Sequence, residues 1–157
     1  ASVFETVGIE EVDDARWDED QLLHVKAPFF LSKALFTVSK TSDRQYPPAC
    51  VVNLIDTHVY VPGTSRPSYI LAKAALADQA RVLGKALAPY VRVNAVAPGA
   101  FLPASASDET YFSRLEKDLP LRKLATPVSV VEAVIFLLKN DSVTGQTIVV
   151  DGGEHLL

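Results

Sequence analysis

Two short apolar runs, Val51 to Ile55 and Val91 to Ala97, constrain this chain more than any other feature. Each has the length of one strand, and the near-continuous hydrophobicity of the second suits a strand covered on both faces. Between them lie a polar loop with turn signals at Pro62 and Gly63 and a helical stretch, Pro67 to Leu87, carrying Leu71, Ala75, Leu76, Ala80 and Leu83. Strand, helix and strand in that order imply parallel neighbours joined by a right-handed crossover. The pattern then repeats. Thr126-Pro127 has the chemistry of a helix start, Val128 to Leu138 supplies the apolar body, and Gln146 to Val150 reads as a last strand ending at Asp151-Gly152-Gly153. The fold class is therefore α/β, with residues 1–157 forming a single unit.

The flanking segments are less regular. Acidic residues accumulate from Glu5 to Asp20 and read as a solvated loop leading to a helix whose first turn favours negative charge. That helix is expected from about Asp18 to Ser39, with Pro28 kinking or breaking it and His24 as a hydrogen-bonded structural residue. Residues 101–125 carry Pro, Ser and charge, with a short helix expected around Glu109 to Lys117. They read equally as a lid over a strand's carboxyl end or as a surface excursion. With 48% apolar residues the chain supports a real core, and a net charge of −4 without a Lys/Arg cluster argues against nucleic acid and anionic membranes. No apolar run is long enough to span a bilayer, no leader opens the chain, and the single cysteine, Cys50, fits a reducing, cytoplasmic compartment as a buried, inert thiol. No metal site is expected.

The chemistry concentrates between the first strand and its helix. Tyr69 and Lys73 are four residues apart, so on a helix their polar ends meet on one face. A neighbouring ammonium favours phenolate and brings a tyrosine towards useful acidity near neutral pH. Asp56, at the end of the strand, adds a carboxylate where the loop folds back over the helix start. Alone, a Tyr and a Lys at this spacing also suit a half-buried phenol and a solvated amine.

Tyr69 and Lys73, V-R-V-N-A-V-A-P-G at Val91 to Gly99, and T-G-Q-T-I-V-V-D-G-G at Thr144 to Gly153 together resemble the C-terminal part of a short-chain dehydrogenase/reductase. The resemblance implies the C-terminal portion of a Rossmann-like doubly wound parallel sheet. Within the family the pattern is most similar to the pteridine reductases and the dihydromonapterin (dihydrofolate) reductases. Asp56 stands thirteen residues before Tyr69, where most members carry a serine and pteridine reductases an aspartate. Ala1-Ser2-Val3-Phe4 resembles a segment in which a serine and an aromatic ring hold the pterin over the nicotinamide, and His24 occupies the place of a family asparagine.

The resemblance implies hydride transfer from NADPH, the choice against NADH resting on residues outside the chain, to a C=N bond of a dihydropterin or related pteridine. Asp56, Tyr69 and Lys73 would deliver the proton. Ser2, Tyr69, Lys73, Pro98, Gly99, Ala100 and Phe101 would contact the cofactor, and Ser2, Phe4, Asp56 and Tyr69 the substrate. A dimer or tetramer is implied as well. The family's Gly-rich pyrophosphate turn is missing among the seven glycines, so the N-terminal nucleotide-binding half is expected from another chain or segment. The alternatives are a ketone or alcohol reductase and a non-catalytic association module that uses the Pro67 to Leu87 helix and the last strand.

Overall fold

The structure, a computed structural model, describes residues 6–41, 48–101 and 108–157. Three parallel strands, β1 (Ala49–Leu54), β2 (Val91–Pro98) and β3 (Thr147–Val150), lie in the order β1-β2-β3. Ala49 pairs with Val91 and Leu54 with Val96, while Ala95 pairs with Thr147 and Pro98 with Val150. Helices α1 (Asp14–Gln21), α2 (Ala27–Thr41), α3 (Pro67–Ala86), α4 (Asp108–Asp118) and α5 (Pro127–Lys139) surround and connect them. The fold is α/β, the C-terminal portion of a Rossmann-like parallel sheet. Among the described residues no helix is long and apolar enough to cross a membrane.

β2 is the centre because its side chains serve both faces. Val91, Val93, Ala95 and Ala97 pack with Leu76, Ala80 and Leu83 of α3, joined by Leu35 and Phe36 of α2. Val96 faces Val130 and Leu137 of α5. The same face also carries Arg92 and Asn94, both buried. Arg92 Nη1 donates to the carbonyls of Leu137 (2.8 Å) and Val143 (3.0 Å), and Nη2 to that of Leu138 (3.0 Å). The guanidinium thus satisfies carbonyls that the end of α5 leaves open. Asn94 donates to the Val143 carbonyl (2.9 Å) and accepts from the Gln146 amide (3.0 Å), fixing the turn into β3. Cys50 is half-buried rather than fully buried; its Sγ lies 3.6 Å from the Leu137 carbonyl, and burial raises its pKa.

Several expectations need correction. The first long helix starts at Asp14, with Asp13 as N-cap accepting the Arg16 amide, so Asp14, Asp18, Glu19 and Asp20 of the acidic run are helical. Asp20 is not solvated: it is buried and accepts the Ser68 hydroxyl of α3 at 2.6 Å. Pro28 does mark a local irregularity, as expected, but the chain stays helical through it. A π-helical turn, Leu22–Lys26, precedes it, in which the Ala27 amide reaches back to the Leu22 carbonyl. Proline removes one amide and crowds the carbonyl four residues earlier, and a widened turn lets the chain continue past both defects. The second strand runs one residue beyond the expected Ala97, to Pro98. At the other boundaries, Thr126 caps α5 by accepting the Ser129 amide at 3.1 Å, and the short helix expected near Glu109 is α4.

Candidate active site

The end of β1, the start of α3 and the C-terminal turn of the chain meet at one place. Past β1, the Ile55 amide still bonds to the Val96 carbonyl at 2.9 Å, which carries Asp56 to the carboxyl edge of the sheet. Asp56 caps the 3₁₀ turn Thr57–Val59. Its Oδ1 accepts the His58 backbone amide and faces His58 Nδ1, each at 2.8 Å. Its Oδ2 accepts the Tyr69 hydroxyl at 3.0 Å. Pro67 at the first position of α3 sets the direction of the helix, so Tyr69 and Lys73 lie on its buried face. Lys73 Nζ donates to the Leu54 carbonyl at 2.8 Å and lies 5.6 Å from the centroid of the Tyr69 ring. The three residues singled out by spacing are brought together.

Burial pushes the Asp56 carboxyl up, but hydrogen bonds from the His58 ring and backbone, helped by the Tyr69 hydroxyl, outweigh it and leave the pKa lowered. The hydrogen bond to Asp56 raises His58 against the effect of burial. Burial lowers Lys73, with Asp56 opposing. His24 lies edge-on to the Tyr69 ring, centroids 5.2 Å apart, and burial followed by the Lys73 charge lowers it to about 4.

Pro98 ends β2, and Gly99, Ala100 and Phe101 follow it at the same edge of the sheet. The Gly99 amide bonds to the Val150 carbonyl at 3.0 Å, and a Cβ there would meet Asp151 Cβ at 2.6 Å, so only glycine fits. The Ala100 amide donates to Glu154 Oε2 at 3.3 Å. Asp151 ties the C-terminal turn to the 3₁₀ turn: its Oδ2 accepts the Thr57 hydroxyl at 2.6 Å and the His155 amide at 2.8 Å, and its Oδ1 the Gly153 amide at 2.8 Å. His58 and Glu154 were not singled out from the sequence. The one available signal was a histidine two residues after an aspartate with N-cap chemistry. Ser2 and Phe4 lie outside the described residues.

Beside Lys73 a cavity of about 370 Å³ opens between α2 and β1, lined by Leu23, His24, Pro28, Asn53 and Leu54 among others. Among the described residues, His24 Nε2 and Asn53 Nδ2 are buried without a hydrogen-bond partner. The ammonium of Lys73 carries three N–H donors, of which the Leu54 carbonyl takes one. The wall is otherwise mostly apolar, and these few polar groups at its end would suit the hydroxyls of a ligand such as the ribose of a dinucleotide.

A parallel α/β sheet with an acid, a phenol and an amine gathered at its carboxyl edge defines the class, and the chain belongs to the short-chain dehydrogenase/reductase family. The family described as enoyl-(acyl carrier protein) reductase matches residues 2–155. The FolM alternative dihydrofolate reductase 1 of Brucella canis, solved in complex with NADP, is 35% identical with a TM-score of 0.86, covering 100% of this chain and 61% of its own. The dihydromonapterin reductase of Citrobacter koseri is 29% identical over 85% of this chain and 55% of its own length. The putative ketoacyl reductase 2 of the granaticin polyketide synthase from Streptomyces violaceoruber is 35% identical over 68% of this chain and 45% of its own. The chain thus spans about half the length of such curated relatives.

Proposed function

We propose that the whole protein to which this chain belongs reduces a C=N bond of a dihydropterin or related pteridine with NADPH. The observation that carries this reading is the Asp56 carboxylate 3.0 Å from the Tyr69 hydroxyl, where a ketone reductase needs only a neutral donor. A carboxylate at that point accepts hydrogen bonds from the N–H groups of a pterin while holding the phenol in place. The likeness to the FolM and dihydromonapterin reductases supports it.

When bound, NADPH supplies hydride to the carbon of the C=N bond. Tyr69 gives its hydroxyl proton to the ring nitrogen, so hydride and proton together complete the reduction and a phenolate remains. Lys73 holds the nicotinamide ribose with its open donors and offsets the phenolate charge. Pro98 to Phe101 flank the nicotinamide end. By the family resemblance, Ser2 would bind cofactor or substrate and Phe4 the pteridine ring. The nucleotide-binding half that this chain lacks docks on β1, and the whole protein assembles as a dimer or tetramer with the exposed Leu71 and Val82 of α3 at the contact.

The test is turnover by the whole protein with NADPH and dihydrobiopterin, dihydrofolate or simple ketones. Pteridine reduction that is lost in Tyr69→Phe, with the fold retained, is the expected result. Reduction of ketones without reduction of pteridines would overturn the assignment, as would full activity of Tyr69→Phe.

A further inference from the structure

The two oxygens of Asp56 are divided between two partners: Oδ2 accepts the Tyr69 hydroxyl at 3.0 Å, and Oδ1 faces His58 Nδ1 at 2.8 Å. We infer that His58 is a positioning residue for Tyr69, acting through Asp56, whose imidazolium offsets the carboxylate charge so that the phenol can release its proton. This rests on the reductase reading above.

The need for a second cation follows from the geometry. When Tyr69 gives its proton to the substrate, a phenolate forms against a carboxylate, and like charges so close disfavour each other. Lys73 supplies one cation. The His58 side chain is 27% exposed against 14% for Asp56, so the ring exchanges protons with solvent while the carboxylate stays behind it. The groups facing His58 are Asp56, Glu154 from the C-terminal turn and Arg66 at the start of α3. Two carboxylates against one guanidinium favour the charged ring, and the Asp56 hydrogen bond raises His58 above its ordinary 6.5. A raised histidine is charged at lower pH and loses its charge as pH climbs through the raised value. Reduction is therefore fastest below that window and slows across it. A neutral ring with a proton on Nδ1 would hold Asp56 in the same place, so only the charge separates this role from a structural one.

The experiment follows kcat against pH for pteridine reduction by the whole protein as wild type, His58→Asn and Tyr69→Phe. It is paired with NMR titration of the His58 ring in the wild type and in Asp56→Asn, without cofactor. Asparagine keeps a donor to Asp56 and lacks the charge. The wild type should lose about tenfold in kcat through the His58 midpoint, tenfold being the effect of one pKa unit on the acid. His58→Asn should be flat over the same range at the lower rate with KM unchanged, and the His58 midpoint should fall in Asp56→Asn. A wild-type pH limb retained in His58→Asn overturns the inference, as does a ring that stays neutral throughout. If His58→Asn does not fold, agreement or mismatch between the NMR midpoint and the wild-type kcat limb decides. Absence of pteridine turnover in the wild type, or an unimpaired Tyr69→Phe, overturns the reductase reading and the inference with it.

Discussion

At the scale of single residues, His24 shows how packing changes a side chain's chemistry. It is 2% exposed, edge-on to Tyr69, and held to a pKa of about 4 by burial and the Lys73 charge. The folded state therefore refuses a proton that the unfolded chain accepts from about pH 6.5 downward. Stability should fall as pH drops from about 6.5 to about 4, with His24 contributing at most about 3 kcal/mol of the loss. Asp56 and Asp151, both lowered, lose stability in the same direction as pH falls. Urea unfolding over that range in the wild type and in His24→Gln isolates the histidine share, and parallel curves would contradict it. The same residues show what spacing reveals. Tyr69 and Lys73 were legible because a helix puts positions four apart on one face, and Asp56 because a strand must end where its loop begins. His58 was not, since its link to Tyr69 runs through the two oxygens of one carboxylate. Asp20 was misread because nothing in an acidic run says which member will meet the Ser68 hydroxyl of another helix.

At the scale of elements, β2 and α5 explain each other. The strand was readable from its apolar run, yet two of its residues are polar and buried: Arg92 donates to carbonyls at the end of α5 and in the turn after it, and Asn94 bonds only in that turn. Periodicity finds such elements but does not reveal which helix end will cover which strand. Arg92 donates to three carbonyls at the end of α5 and in the following turn, so Arg92→Met keeps much of the buried stem and removes every donor. The loss is expected to be about 2 to 4 kcal/mol, several buried carbonyls losing their partners at once. Thermal unfolding of the variant should show it, with local hydrogen exchange increasing first at Leu137 to Val143. A Tm equal to that of the wild type would mean that water replaces the guanidinium at no cost. The π-helical turn before Pro28 is a second feature that patterning misses, because proline marks a defect in the ladder without specifying its repair.

At the scale of the whole molecule, the sheet is unfinished on one side. Among the described residues β1 pairs with β2 alone, and the Ala49 and Ile55 amides both point to β2. Alternation then turns the amides of Cys50, Val52 and Leu54 to the open edge. No lysine or proline guards that edge, which is unusual for a strand left free in solution. Parallel sheets bury both faces, and the cavity lined by Asn53, Leu54, Lys73 and His24 opens along this side of β1. Lys73 already takes the Leu54 carbonyl, so pairing must stop short of the sheet's carboxyl end, which leaves the region of Tyr69 open to ligands. These observations, with the 61% of the Brucella canis chain that this one spans, lead to a definite expectation. In the whole protein a further parallel strand covers β1, and hydrogen exchange of the Cys50 and Val52 amides is as slow as that of Val51 and Asn53, which face β2. Fast exchange at Cys50 and Val52 beside slow exchange at Val51 and Asn53 would show β1 to be a true edge, and the nucleotide-binding half would then have to dock elsewhere.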